Sequence, residues 1–304
     1  MRRTFASSLC AVVALTGVVT AGCGQDRPPV PATDRPALLS WRQELRVTDA
    51  QQRLTARCMA RHGFAFWEDR TLSLRESRPV RYVQDDVAWA REFGYGGRID
   101  AKNARTHAHN PNGAYRAGLS PSRRAAFDAA LDGGADSRPL TAPLPGGGEI
   151  RKRLGGCTEE AERTLYGDPA VWFRTGKVAT GVNALYTGQL MKDRRLTAAV
   201  RAWARCMKDA GQPYEDPWAA RDAVVSDTAR LGAARADEAF AAERETAVAD
   251  ATCARKTSLR AVASARETYY ADRLRGRYGK DIDTYRRLGR EAYDRAVHIV
   301  PERG

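Results

Sequence analysis

Four cysteines constrain this chain more than any other feature. Cys58, Cys157, Cys206 and Cys253 remain once the first 22 residues are set aside, and two of them stand in copies of one phrase. Ala56-Arg57-Cys58-Met59 is followed by Gly63 and Phe66. Ala204-Arg205-Cys206-Met207 is followed by Gly211 and Tyr214 at the same offsets. Each copy reads as the last turn of a helix, ended by a glycine that can take φ > 0. An even number of cysteines in an exported chain implies disulfides. Zinc is the rival reading, although no Cys-x-x-Cys pair occurs and gaps of 99, 49 and 47 residues suit no common zinc module. Since Cys58 and Cys206 hold equivalent places, the economical pairing is Cys58–Cys157 and Cys206–Cys253, one bridge in each of two related halves.

Export is read from the N-terminus. Arg2 and Arg3 precede a mostly apolar run from Phe5 to Val19, too short for a membrane span, and Thr20-Ala21-Gly22 leads into Cys23. That order resembles a bacterial lipoprotein signal, cut before the cysteine, which then carries lipid at Cys23. An ordinary secretory signal cut nearby is the alternative. Pro28, Pro29, Pro31 and Pro36 make residues 23–36 a semi-extended tether. No other stretch reaches the ~20 apolar residues of a transmembrane helix, so membrane attachment would rest on Cys23.

Without residues 1–22 the chain holds 48 basic and 37 acidic side chains, a balance of +11. The excess is spread along the sequence instead of gathered in a block. That pattern describes a mildly positive surface and not a nucleic-acid footprint. In an exported protein the matching negative partners would be anionic headgroups or an anionic wall polymer, and an envelope protein is the other expected partner.

The hydrophobic periodicity is helical nearly throughout. A first helix is expected from Ala37, and a second starts at Thr48, whose capping-box partner would be Gln51. Residues 64–156 read as irregular, with turns at Phe93-Gly94-Tyr95-Gly96-Gly97 and Asn110-Pro111-Asn112-Gly113. Short strands near Arg81-Tyr82-Val83 are conceivable, and Pro143 to Gly148 is a loop. Inside this stretch Ser120 and Pro121 open one clear helix that Gly133 ends. Gly155-Gly156 leads into a helix bearing Cys157, Ala161 and Leu165 and closed by Gly167. A loop holds Trp172 and Phe173, and a helix is expected near Val182 to Met191. Asp193 caps the second Cys-Met helix, whose stripe is Leu196, Val200, Trp203 and Met207. From Ala236 the pattern stays helical until Gly276 and Gly279 interrupt it, and a last helix starts at Asp281. The expected class is therefore mainly α, a helical domain of two disulfide-linked pseudo-repeats around a loop-rich middle. Residues 37–192 form the first Cys-Met half and 193–304 the second.

The order of these features resembles a family of exported proteins and lipoproteins of actinobacteria. The matching anchors are Cys58-Met59 with Gly63-Phe64, Phe93-Gly94-Tyr95-Gly96, Tyr115 with Leu119-Ser120-Pro121, and Ala129-Ala130-Leu131. They continue with Gly156-Cys157 and Ala161, Trp203 with Cys206-Met207 and Gly211, and Asp250 with Cys253. The resemblance runs from about residue 48 to 297. It implies the helical, exported class and no activity, since the family is uncharacterised in function. Gln212 stands where the first copy has Phe64, so the two copies are not interchangeable.

No catalytic constellation emerges. There is no Gly-x-Ser-x-Gly elbow, no His-Glu-x-x-His helix and no phosphate-binding loop. His107 and His109 lack an identifiable third ligand, and Met59 and Met207 read as core filling, so neither a metal nor a cofactor is expected. Glu159-Glu160 belongs to a helix's first turn, whereas Glu68-Asp69 and Asp85-Asp86 read as solvated loop charges. An envelope hydrolase using such carboxylates is the alternative to a non-catalytic binding module. The candidate recognition surface is aromatic: Trp67, Trp89, Phe93, Tyr95 and Tyr115, set on loops by a rigid scaffold. The rival reading places those rings in the core.

Overall fold

The computed structural model describes residues 37–303, and Cys23 with its tether lies outside them. The chain opens with one helix, α1 (Trp41–Arg61). Ser40 caps it and Gln43 closes a capping box, so the expected boundary at Thr48 does not exist. Thr48 lies inside the helix and donates its hydroxyl to the Glu44 carbonyl, 3.1 Å away, the other local role open to threonine.

The middle is more regular than expected. It holds α2 (Val87–Phe93), α3 (Gly97–Ala108), α4 (Pro111–Gly118) and α5 (Pro121–Asp132). Asp86 caps α2, Asn110 caps α4 with Pro111 at its first position, and Ser120 caps α5. No strand forms at Arg81–Val83. An antiparallel hairpin instead joins β1 (Arg138–Pro143) to β2 (Glu149–Leu154), with Pro143 opposite Glu149 and Arg138 opposite Leu154. The lysine of β2 explains why this pair escapes a reading of apolar alternation. Ile150, Lys152 and Leu154 share one face, and the Lys152 ammonium pairs with the buried Glu162 carboxylate.

Two packed regions follow. Helices α6 (Gly156–Tyr166) and α7 (Pro169–Gly181) are followed by the short α8 (Thr187–Leu190) and by α9 (Arg194–Asp209). Trp172 and Phe173 are helical, not looped, because Asp168 caps α7 with Pro169 at its first position. The helix expected over 182–191 is broken into a 3₁₀ turn and α8. Asp216 and Pro217 start α10 (Pro217–Leu231) in the same way as α7. The C-terminal run is α11 (Ala236–Lys256), α12 (Leu259–Asp272) and α13 (Arg275–Val297). Gly276 and Gly279 sit inside α13 instead of interrupting it. The roughly 1 kcal/mol that a helical glycine costs is offset there by tertiary packing. Tyr278 and Ile282 of α13 bury against Val178 and Val182.

Trp203, fully buried, centres one core cluster with Leu196, Met207, Cys253 and Leu259. A second joins α1, α6 and α13 through Val47, Leu165, Ala292 and Ala296. Helix α13 thus packs on α1, α6 and α7, and residues 37–303 form one compact unit. Arg303 adds a polar clasp, forking onto the buried Asp49 carboxylate at 2.8 and 2.6 Å.

Both expected disulfides are present, Cys58–Cys157 and Cys206–Cys253. They mark a chain that folds in an oxidising, extracytoplasmic compartment. Among the described residues, no helix is long and apolar enough to cross a membrane. The two Cys-Met helices end alike, in a Schellman motif. Phe64 N donates to Met59 O (3.0 Å) and Gly63 N to Ala60 O (3.0 Å); Gln212 N donates to Met207 O (2.8 Å) and Gly211 N to Lys208 O (3.0 Å). Gly63 and Gly211 carry φ of 76° and 78°. The partner cysteines differ in placement, Cys157 in the first turn of α6 and Cys253 in the last turn of α11. Replacing Cys206 with alanine should expose only Cys253 to a thiol reagent, with Cys58 and Cys157 staying protected. Labelling of Cys157 would mean that sulfur exchange occurs between the two bridges.

Candidate functional site

The five aromatics singled out from the sequence separate into two places. Trp67 and Tyr115 meet edge to face, centroids 5.5 Å apart, beside the core around the first disulfide. Asn112 holds this corner by accepting from Trp67 N (2.8 Å) and donating to Trp67 O (2.9 Å). Trp67 is 45 % exposed. Trp89 and Phe93 belong to α2, and Trp89 is core: it is buried, and its indole donates to Arg75 O at 3.1 Å.

Tyr95 leads to the polar centre of the molecule. It lies in the turn from α2 to α3, facing α11, whose residues Glu243 and Asp250 are two helical turns apart on one side. The Glu243 carboxylate accepts from Tyr95 N (2.8 Å) and Gly97 N (3.0 Å), satisfying donors at the start of α3. Tyr95 then reaches inward, and its hydroxyl donates to Asp250 Oδ2 at 3.1 Å. Trp203, from α9, donates its indole N–H to Asp250 Oδ1 at 2.9 Å. The glycines of Phe93-Gly94-Tyr95-Gly96-Gly97 acquire a physical reason here. A Cβ on Gly94 or Gly97 would sit 2.7 or 2.8 Å from the Glu243 carboxylate.

Asp250 is fully buried, and this burial pushes its carboxyl up to about 6, against the opposing pull of Arg221, Trp203 and Tyr95. Tyr95 is raised above the ordinary tyrosine range by burial and by Asp250. A folded-state value above the unfolded 3.8 means that the native state binds the proton more tightly. The stabilisation from this group is therefore complete below about pH 3.8 and disappears as pH rises through about 6. Between pH 4 and 7 the wild type should lose roughly 2–3 kcal/mol relative to Asp250→Asn. Chemical denaturation of both proteins across that range checks the difference, and parallel curves would contradict it.

Beside this clamp a cavity of about 550 Å³ opens between the start of α3, α10 and α11. Val80, Val224, Val225, Ala236, Ala239 and Phe240 supply apolar walls, while Tyr95, Arg221 and Glu243 also reach the lining. Val225 at the lip is 68 % exposed. Arg98 lies over the Phe240 ring at 3.9 Å and pairs with Asp237. The size and apolar character fit a small-molecule site. A second concavity, of about 340 Å³, lies by the stacked rings of Tyr166, Trp172 and Tyr285.

The other candidates are engaged elsewhere. Glu68 pairs with Arg53 and Arg70, Asp85 with Arg260, Glu159 with Arg138 and Arg163, and Glu160 with Arg61. Asp86 is not merely a solvated loop charge, since it caps α2 and pairs with Arg78. His107 lies in α3 and His109 follows it, both exposed. Among the described residues, the metal-type cluster is Cys58, His62 and Cys157, whose two sulfurs are already bonded to each other. Of the cavity's polar groups, the sequence reading had singled out only Tyr95. Arg221 and Glu243 come together with it through the tertiary fold. Comparison with protein-family models, curated proteins and solved structures finds no match to this chain.

Proposed function

We propose that the chain is a lipid-anchored, non-catalytic binding module on the extracytoplasmic face of a cell membrane, and that the α3–α10–α11 cavity is its ligand site. The observation that carries this reading is the apolar cavity built against a buried polar clamp. Its walls are rigid helices, and its turn is held by hydrogen bonds that it donates to the Glu243 and Asp250 carboxylates, so the site is formed before any ligand arrives. The disulfides support the compartment, and the Arg2-to-Cys23 segment motivates the anchor. On this reading the Cys-Met helices are copies of one unit, as their matching ends suggest, and the actinobacterial resemblance is one of lineage. Tyr95 is the predicted aromatic that serves the site, while Trp67 and Tyr115 offer a separate face for an envelope protein or wall polymer.

Two measurements test the reading. Replacing Cys23 with serine should move the protein out of the membrane fraction, and continued membrane association would refute the lipid anchor. The full chain should also brighten the neutral fluorophore aminoanthracene, and Ala236→Trp, placed in the cavity wall, should abolish that signal. An unaffected signal would place the site elsewhere.

A further inference from the structure

Helix α9 carries a row of unmatched cations. From Lys192 to Lys208 the chain holds six basic side chains and one acid, Asp193. Asp193 is already engaged, since it caps the helix and pairs with Arg266, 2.9 Å away. The exposed residues from 194 to 208 are Arg194, Arg195, Ala198, Arg201, Arg205 and Lys208. At 3.6 residues per turn, Arg194, Arg201, Arg205 and Lys208 fall within about 30° of one line, a single file about 21 Å long. Among the described residues no carboxylate, Asp209 at the helix end included, pairs with any of the four. Elsewhere the helices set acids against their arginines, as Glu159 with Arg163 and Glu291 with Arg287. At its N-terminal end the row meets an open hollow of about 560 Å³, whose walls add Lys192 and Arg195, both also unpaired.

This arrangement works against the helix itself. Arg201 and Arg205 are like charges at i,i+4 and repel each other. Arg194 and Arg195 occupy the first turn, where the macrodipole disfavours positive charge. A face whose exposed residues are all cationic except Ala198 is complementary to a string of negative charges. We propose that the α9 face is a docking surface for a linear polyanion, an anionic wall polymer lying along the row from Lys208 to the hollow. A plane of lipid headgroups fits less well, because residues 194–208 expose no large apolar side chain to insert among lipids. None of these residues lines the α3–α10–α11 cavity, so this proposal and the cavity reading are independent.

Calorimetric titration of the full-length protein with long-chain polyphosphate, with orthophosphate as the single charged unit, tests this. Polyphosphate should bind, with log K falling against log salt at a slope of about −3, as four contacts to a single strand imply. Orthophosphate at the same phosphate concentration should not displace it. The triple variant Arg201→Gln, Arg205→Gln, Lys208→Gln should bind polyphosphate about tenfold or more weakly and flatten the slope by about 2. Its counterpart Arg91→Gln, Arg105→Gln, Arg290→Gln removes the same charge from exposed positions on other helices and should keep the wild-type slope. Absence of polyphosphate binding, a flat slope in the wild type, or equal losses in the two variants would overturn the assignment. So would an α9 variant that keeps polyphosphate binding but loses binding to phosphatidylglycerol vesicles, which would give the face to the membrane. The wild-type slope decides the matter even where a variant does not fold.

Discussion

Full reduction of the protein is expected to unfold it at room temperature. The Cys58–Cys157 bridge spans a sequence separation of 99 and Cys206–Cys253 one of 47. Loop-closure entropy assigns about 4.7 kcal/mol to the first and about 4 kcal/mol to the second. The two loops neither overlap nor nest in sequence, so their constraints on the unfolded chain act together. Their combined effect is about as large as the whole stability of an ordinary domain, roughly 5–15 kcal/mol. Urea titrations followed by circular dichroism, with and without a phosphine reductant, check this. The reduced protein should show little helical signal even without urea. An unchanged midpoint would mean that the helices hold without their bridges.

Gly94→Ala should strongly destabilise the protein. Gly94 ends α2 at φ 65° and ψ −126°, a region that residues with a Cβ rarely enter, at a cost of about 1–3 kcal/mol. The added methyl would also lie 2.7 Å from Glu243 Oε1 and 2.8 Å from its Cγ and Cδ. Those atoms are packed side chain on a buried face, so relief requires displacing the carboxylate from Tyr95 N and Gly97 N. Two part-buried donors then lose their acceptor, at about 1–3 kcal/mol for Tyr95 N and less for Gly97 N, which water can reach. A total loss of about 3–6 kcal/mol is expected, together with weaker probe binding. Gly113→Ala supplies the contrast. Gly113 lies in α4 with open space around it, and alanine there should leave stability unchanged or raise it by up to about 1 kcal/mol. Equal effects of the two substitutions would show that Glu243 does not grip the turn.

The parts of this fold that could be read in the sequence are those encoded locally or by chemistry with few partners. The caps of α5 and α9, the stripe of Leu196, Trp203 and Met207, and the glycine ends of both Cys-Met helices all follow from neighbours in sequence. The cysteine pairing followed from two equivalent motifs. What escaped had other causes. Helices α3 and α4 bury no residue fully, so they carry no apolar stripe to detect. The hairpin hid behind Lys152, a charged residue on its inner face. The starts of α7 and α10 were legible in principle, because Asp168-Pro169 and Asp216-Pro217 each place a cap before a first-position proline. The clamp lay beyond local reading. Glu243 and Asp250 are separated from Tyr95 by 148 and 155 residues, and nothing near either acid announces the turn that it grips.

The most direct trial of the account is to photo-cross-link a neutral alkyl diazirine to the full-length protein and map the modified peptides. Adducts should fall on the cavity walls, within residues 80–101 and 221–243. Modification confined to the Trp67–Tyr115 corner or to the Tyr166–Trp172–Tyr285 stack, with the cavity unlabelled, would contradict the account.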